Sequence, residues 1–199
     1  MGRLGRMRVA VIVADGFEPA ELDLVVLALR DAGASVDVLA PDEDHHGRID
    51  AERVGAVIPD RLLADASPEA YDALVIPGGE ASADAMSRSS LHLHWVRRMV
   101  ERQRPIGAIG EGVRLLGDAD TIHAHVVTSA PICRPALEEA GARWIDQEVV
   151  VDRGLVTSRA PRDLPAFTRA LLELLEREYV TLVGDTGTAA EPIDGGSLR

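Results

Sequence analysis

Residues 8–41, RVAVIVADGFEPAELDLVVLALRDAGASVDVLAP, contain the pattern that decides the fold. The run 8–13 is almost wholly apolar and rich in β-branched residues, which is typical of a strand buried on both faces. The stretch 18–32 then carries four apolar side chains at the spacing of one helical face: Leu22, Val25, Val26 and Leu29. Gly33 ends this helix, and 36–40 is a second apolar strand. The pattern predicts a strand–helix–strand unit, and therefore a parallel sheet with a right-handed crossover.

The same alternation continues as far as residue 178. We predict strands at 72–76, 106–109 and 126–127, short strands within 54–63, helices at 90–103, after Gly110, at 131–140 and at 162–178, and a hairpin at 148–158. These elements predict an α/β protein, a flavodoxin-like three-layer α/β/α sandwich with a mostly parallel sheet.

The domain boundaries follow from where this pattern begins and ends. Residues 1–6 are predicted to be an N-terminal extension and residues 7–179 the folded domain. Residues 180–199 are rich in glycine, threonine and acidic side chains without periodicity, so we predict a disordered acidic tail. The polar stretch 42–50 is predicted to be a surface loop.

Composition narrows the classes of function. The 199 residues carry a formal net charge of -12, which disfavours nucleic acid as a partner. No apolar run approaches the roughly 20 residues that a membrane span needs, so a membrane is not an expected partner. The single cysteine, Cys133, excludes an internal disulfide framework and favours a reducing, cytoplasmic location.

Three predicted strand ends carry glycines and acidic residues: 15–18 (DGFE), 77–80 (PGGE) and 109–112 (IGEG). In a doubly wound sheet, ligands bind beyond the carboxyl ends of the strands. We therefore expect these three segments to form one site for a small molecule.

Together with their spacing, these stretches resemble the ThiJ/PfpI superfamily, a branch of the class I glutamine amidotransferase-like fold, over roughly residues 7–178. The resemblance rests on Gly16-Phe17-Glu18 followed by Glu21-Leu22, and on 71–79 (YDALVIPGG). The stretches 148–152 (EVVVD) and 156–159 (VTSR) are similar to the PfpI subgroup. The resemblance implies a homodimer or a larger homo-oligomer.

The resemblance also implies a site, from which this chain departs. It places a cysteine at Gly110 and usually a histidine at Glu111, on an elbow where a helix start lowers the pKa of the thiol. It places a glutamate at Glu18 beside that sulfur, and amides near Gly79 in an anion hole. Glu18, Gly79 and Gly112 are kept. The two residues of the covalent chemistry are replaced, so thiol-dependent peptidase, glyoxalase, deglycase or hydratase activity is not expected to transfer.

Two functional hypotheses remain open. If Glu18 and Glu111 point into one pocket, they share a proton, the pKa of one rises, and the pair can perform acid–base catalysis on a small carbonyl-type metabolite. Alternatively, Glu111 only caps its helix or pairs with Arg114, and the protein is a non-catalytic family member that binds a ligand or a protein.

Several other residues have two interpretations. The amides at Gly79, Gly110 and Gly112 can hold an oxyanion or a ligand, or these glycines serve only steric purposes. Asp15 either joins the acids or ends its strand. The resemblance places at Ala83 an acid that supports the histidine in the PfpI subgroup.

The remaining candidates are a thiol and a pair of imidazoles. Cys133, outside the elbow, is interpreted as a packed thiol rather than a relocated nucleophile. His123 and His125 alternate as metal ligands on a strand do, but no further ligand stands at a recognised zinc spacing. We therefore expect no metal and no cofactor.

Overall fold

The computed structural model describes residues 3–41, 49–50 and 56–185, along which strands and helices alternate. The strands are β1 (Arg8–Ile12), β2 (Ser35–Ala40), β3 (Ile49–Asp50), β4 (Ala56–Val57), β5 (Arg61–Leu62), β6 (Ala73–Ile76), β7 (Ile106–Ile109), β8 (Val126–Val127), β9 (Arg143–Trp144), β10 (Val149–Asp152) and β11 (Leu155–Ser158). The helices are α1 (Pro19–Asp31), α2 (Glu80–Arg88), α3 (Ser90–Glu101), α4 (Arg114–Asp118), α5 (Arg134–Glu139) and α6 (Leu164–Asp185). Short 3₁₀ turns include Gly110–Val113, the elbow turn, and Pro131–Cys133.

Seven strands form the main sheet in the order β10-β11-β7-β6-β1-β2-β5. All neighbours are parallel except β10, which returns antiparallel to β11 through the predicted hairpin. The sheet confirms the predicted flavodoxin-like α/β fold. Because β1, β6 and β7 are parallel neighbours, their carboxyl ends lie side by side at one edge.

The two faces of the sheet bury separate apolar clusters, because successive side chains of a strand point to opposite faces. On β1, Val9 and Val11 pack with the helices α1 and α6, whereas Ala10 and Ile12 pack with α2 to α5. All four side chains are fully buried. This alternation produces the predicted three layers.

The structure differs from the sequence analysis at four places. Leu4 is fully buried and its amide bonds the Ala32 carbonyl at 2.9 Å, so the fold already begins within the predicted extension. Helix α6 continues to Asp185, past the predicted tail start, and residues 186–199 lie outside the described residues. Helix α2 was not predicted. Of the predicted loop 42–50, residues 42–48 lie outside the described residues, and β3 pairs with β4 instead of being loop.

Among the described residues, no helix combines the length and the apolar character that crossing a membrane requires.

Candidate active site

The three predicted strand ends meet at the carboxyl edge of the sheet. The amide of Glu18, at the end of the β1 turn, donates to the Gly78 carbonyl after β6 at 3.0 Å. The amide of Gly79 donates to the carboxylate of Glu111, in the elbow turn after β7, at 3.1 Å. The segments that the sequence singled out therefore form one site.

Glu21 is the buried carboxyl group of this site. It lies in the first turn of α1, and only 1% of its surface is exposed. Its Oε2 atom accepts a 2.6 Å hydrogen bond from the amide of Gly78. The pKa of Glu21 is raised to about 8, chiefly by burial. The Gly78 hydrogen bond acts to lower this pKa, and the negative charges of Glu111 and Glu18 act to raise it. Glu21 therefore carries a proton at neutral pH.

Glu111 is half-buried in the elbow turn, with its Oε2 atom held by the Gly79 amide. The sequence left open a pairing with Arg114. That guanidinium instead bonds Asp84 and Asp118, on α2 and α4. The Glu111 carboxylate is thus directed to the Pro-Gly-Gly loop.

Glu21 and Glu111 face each other across Gly78, and we call them the carboxylate pair. A Cβ atom at position 78 would lie 2.8 Å from Oε2 of Glu21 and 3.0 Å from Oε2 of Glu111. Any larger residue there would collide with both groups. Gly78 thus allows two carboxyl groups to approach one amide-lined point.

The sequence prediction placed Glu18 in the pocket with Glu111; the carboxyl group that the structure buries beside Glu111 is that of Glu21. Pro19 occupies the first helical position, so Glu18 is only the half-buried N-cap residue. The charge of Glu18 still raises the pKa of Glu21, so Glu18 lies near the carboxylate pair. The missed signal was spacing: Glu21 precedes Val25, on the buried face, by one helical turn.

Gly110 has room for a Cβ atom on the side of Glu21. A Cβ atom at this position would lie 3.5 Å from Oε1 of Glu21 and 3.6 Å from the Arg159 carbonyl, both ordinary contacts. The backbone φ is +56°, a conformation that costs an L-residue energy. A side chain here would therefore point at the carboxylate pair, as an elbow residue would.

Gly79 and Gly112 have no such space. A Cβ atom at Gly79 would meet the Gly16 carbonyl oxygen at 2.1 Å, and one at Gly112 would meet the Pro77 carbonyl oxygen at 2.4 Å. Both residues allow close packing of backbone segments, as the steric interpretation predicted. The Gly79 amide is also engaged by Glu111, so an oxyanion would have to displace that bond.

The other candidates lie at the margin of the site. Asp15 is exposed in the turn after β1, and Ala83 is fully buried within α2.

Comparison with known proteins identifies the family. Residues 7–174 match the model of the DJ-1/PfpI family. The chain belongs to this family. Among its relatives, Protein/nucleic acid deglycase 2 of Escherichia coli is 36% identical over 171 residues, covering 84% of this chain and 97% of the relative. Deglycase TK1284 of Thermococcus kodakarensis is 33% identical over 169 residues, covering 85% of this chain and 99% of the relative.

Solved structures agree with the DJ-1/PfpI assignment. The crystal structure of Drosophila melanogaster DJ-1beta superposes with a TM-score of 0.79 at 28% identity. The match covers 96% of this chain and 100% of that one. The resemblance expected from the sequence is confirmed at the level of the family and the fold.

The one cysteine of this DJ-1/PfpI chain lies in the core. Cys133 is 3% exposed within the apolar cluster that packs against α3 and α4. The pKa of its thiol is raised to about 11, chiefly by burial and in part by the charge of Glu111. The thiol is therefore protonated at neutral pH, and a protonated thiol is a poor nucleophile.

The two histidines considered as metal ligands contact different residues. His123 is exposed and its ring lies next to Gly141, whereas Nδ1 of His125 lies 2.9 Å from Oδ2 of Asp152. In the part of the chain that the structure describes, no three His, Cys, Asp or Glu side chains are grouped to hold a metal ion.

Proposed function

We propose that this DJ-1/PfpI family member performs acid–base catalysis on a small carbonyl-type metabolite with Glu21 and Glu111, without a thiol at the elbow. One observation carries the proposal. Glu21, which is protonated at neutral pH, lies beside a second carboxylate and 3.5 Å from where a Cβ atom at Gly110 would lie. Paired carboxyl groups in unlike environments are the usual arrangement for an acid and a base at neutral pH.

Enolisation is the simplest reaction of this class. Glu111, the more exposed member, would take a proton from the carbon next to a carbonyl, while Glu21 donates its proton to the carbonyl oxygen. The reverse transfers restore both groups. Hydration, dehydration or ring opening would use the same two proton transfers, and the reaction needs no cofactor.

Two features support a chemistry without a nucleophilic thiol. The printed names of relatives include deglycases, which suggests cysteine-based catalysis in those proteins. In this chain, Gly110 has no side chain at the elbow, and Cys133 is buried with a pKa of about 11. Glycine cannot attack a carbonyl carbon, so covalent catalysis at the elbow is not proposed.

A second candidate is a non-catalytic protein that binds a small ligand at the same place. It is favoured by the closure of the site: Glu21 is 1% exposed, and the Gly78 and Gly79 amides already bond the carboxylate pair. A ligand would then occupy the space at Gly110 and stabilise the fold without being converted.

Exchange of carbon-bound hydrogen for deuterium separates the two candidates. The protein is incubated in D₂O with small ketones and hydroxyaldehydes that carry an α hydrogen, and proton NMR follows the α signal. We expect exchange with the wild-type protein and with Glu139→Gln, an exposed control on α5, but none with Glu21→Gln or Glu111→Gln. Equal exchange in all four proteins would overturn the catalytic proposal.

The non-catalytic candidate predicts a different pair of results. No carbonyl compound would exchange or be converted, yet one of them would raise the melting temperature in proportion to its concentration. Gly110→Leu, which fills the space beside Glu21, should abolish that rise.

Two further properties are part of the proposal. A homo-oligomer is supported by the resemblance to the PfpI subgroup, and light scattering at several protein concentrations tests it. A cytoplasmic location is supported by the single, buried, unpaired cysteine.

A further inference from the structure

A second cavity lies at the opposite edge of the sheet from the carboxylate pair. It opens beside the first residues of β7 and β11 and has a volume of about 230 Å³. We call it the amino-edge cavity. Its polar lining residues are Gln103, Arg104, Thr121, His125 and Arg153, and its apolar lining residues include Ile106, Leu116 and Leu155. Gly110 follows β7 at the other edge, and none of the residues that line this cavity belongs to the carboxylate pair.

Arg104 brings an uncompensated donor to this cavity. Its Nε atom is buried and has no hydrogen-bond partner among the described residues, and its guanidinium forms no ion pair with any of them. A buried donor without a partner is uncommon and destabilising, and an acceptor on a ligand would satisfy it. A cationic donor of this kind selects a carboxylate or another small anion.

His125 supplies a second, oriented polar group. Partial burial acts to raise the pKa of Asp152. Its effect is outweighed by hydrogen bonds from Arg153 and from the Val126 amide and by the charges of Arg153 and His125, so the pKa lies below its ordinary value. Asp152 is therefore ionised, and Nδ1 of His125 donates to it. The other ring nitrogen, Nε2, is left for a ligand.

The charge of Asp152 does not oppose an anion, because it is compensated locally. Arg153 contacts the same carboxylate at 3.2 Å, and the Val126 amide donates to it at 2.9 Å. Arg104 is therefore the cation of this cavity whose charge no described side chain offsets.

The size and the apolar wall restrict the ligand further. The cavity is smaller than the roughly 300–1,000 Å³ of pockets that hold drug-sized molecules, so it suits a small metabolite. Ile106 is 3% exposed and Leu155 is 7% exposed, and these two lining residues favour an apolar body over a compact polar ion.

We propose that the amino-edge cavity binds a small carboxylate with an apolar body, its carboxylate on Arg104 and its body against Ile106, Leu116 and Leu155. This site is independent of the carboxylate pair. The proposal does not depend on whether the protein is an enzyme, because the ligand of this cavity is bound and not converted.

An NMR titration of the uniformly ¹⁵N-labelled full chain tests the proposal without any substitution. Benzoate is the probe; benzyl alcohol has the same body without the charge, and inorganic phosphate has charge without the body. We expect saturable shifts with benzoate at the amides of Thr121, His125 and Gly154, and not at Gly78 or Glu111. Shifts confined to the elbow, no saturation, or phosphate binding as tightly as benzoate would overturn it.

A matched pair of variants then tests the role of Arg104. Arg104→Gln should weaken benzoate binding about tenfold or more, the usual effect of losing a charged hydrogen bond. Arg162→Gln, an exposed arginine before α6, should bind as the wild type does. Near-UV circular dichroism checks that both variants fold. A folded Arg104→Gln protein with unchanged affinity would refute the assignment.

Discussion

Glu21 and Glu111 accept hydrogen bonds from two consecutive amides, those of Gly78 at 2.6 Å and Gly79 at 3.1 Å. The loop after β6 thus holds two carboxyl groups that arrive from different elements, α1 and the elbow turn. Because like charges repel and Glu21 is buried, one proton is retained between them at neutral pH.

The stability of the wild-type protein should fall as pH rises between about 4.5 and about 8. The pKa of Glu21 is raised from 4.5 to about 8 in the folded state, so the folded chain holds a proton that the unfolded chain releases. The stabilisation is complete below pH 4.5 and is lost as pH rises through 8, at up to about 1.4 kcal/mol per pH unit. Urea denaturation across this range measures it. Glu21→Gln should remove this slope, and parallel slopes would contradict the assignment.

At neutral pH, Glu21→Gln should change the free energy of unfolding by less than about 1 kcal/mol. Glutamine has nearly the same shape as a protonated glutamate, and its carbonyl can still accept the Gly78 amide. Glu21→Ala should cost about 2–4 kcal/mol, because it leaves a cavity and an unsatisfied buried amide. Chemical denaturation of both variants gives the comparison. A destabilised Glu21→Gln protein would show that Glu21 is ionised instead.

Gly110→Ala and Gly112→Ala should differ in stability although they stand two residues apart. At Gly110 the new methyl group has space, and only the φ of +56° opposes it, at about 1 kcal/mol. At Gly112 the methyl group would meet the Pro77 backbone oxygen at 2.4 Å, so we expect a loss of about 3 kcal/mol. Thermal and urea denaturation test this. Equal losses of stability would contradict the inference that a Cβ atom fits at Gly110.

The Cys133 thiol should be nearly inert in the native protein. Its pKa is raised from 9.0 to about 11, which lowers the thiolate fraction at neutral pH about a hundredfold, and burial restricts access further. Iodoacetamide labelling, followed by mass spectrometry, should be at least about a hundredfold slower in the native than in the urea-unfolded chain. Rapid labelling of the native protein would favour the alternative that Cys133 is a relocated nucleophile. Cys133→Ala should leave deuterium exchange unchanged.

The order of strands and helices was predictable because it depends on local patterns. Runs such as 8–13 and 72–76 are apolar on both faces, and the helices between them repeat at the helical spacing. Helix α2 was missed since its sequence, EASADAMSR, has one large apolar residue, Met86, and its helical conformation depends on packing. The reach of α6 to Asp185 was missed because its last residues, 180–185 (VTLVGD), are rich in β-branched residues and include a glycine, which are not typical of a helix.

The site was predictable in its location but not in its geometry. Glycines and acids at three strand ends of a parallel sheet must lie together, and the structure places them so. Which of two glutamates is buried depends on where α1 begins, and the choice between Glu18 and Glu21 turns on Pro19. That Gly110 has space while Gly112 has none depends on the neighbouring backbone of β6, which no local pattern encodes.

The position of β1 in the middle of the sheet has a consequence for how the chain folds during synthesis. This strand is made early, and β2 can pair with it as soon as α1 has formed. Its other edge stays open until β6 has been made, and β7 and β11 are added outward only after that. An open, apolar strand edge is prone to pair with other chains. We therefore expect that nascent chains stalled before β6 are the species that chaperones must protect.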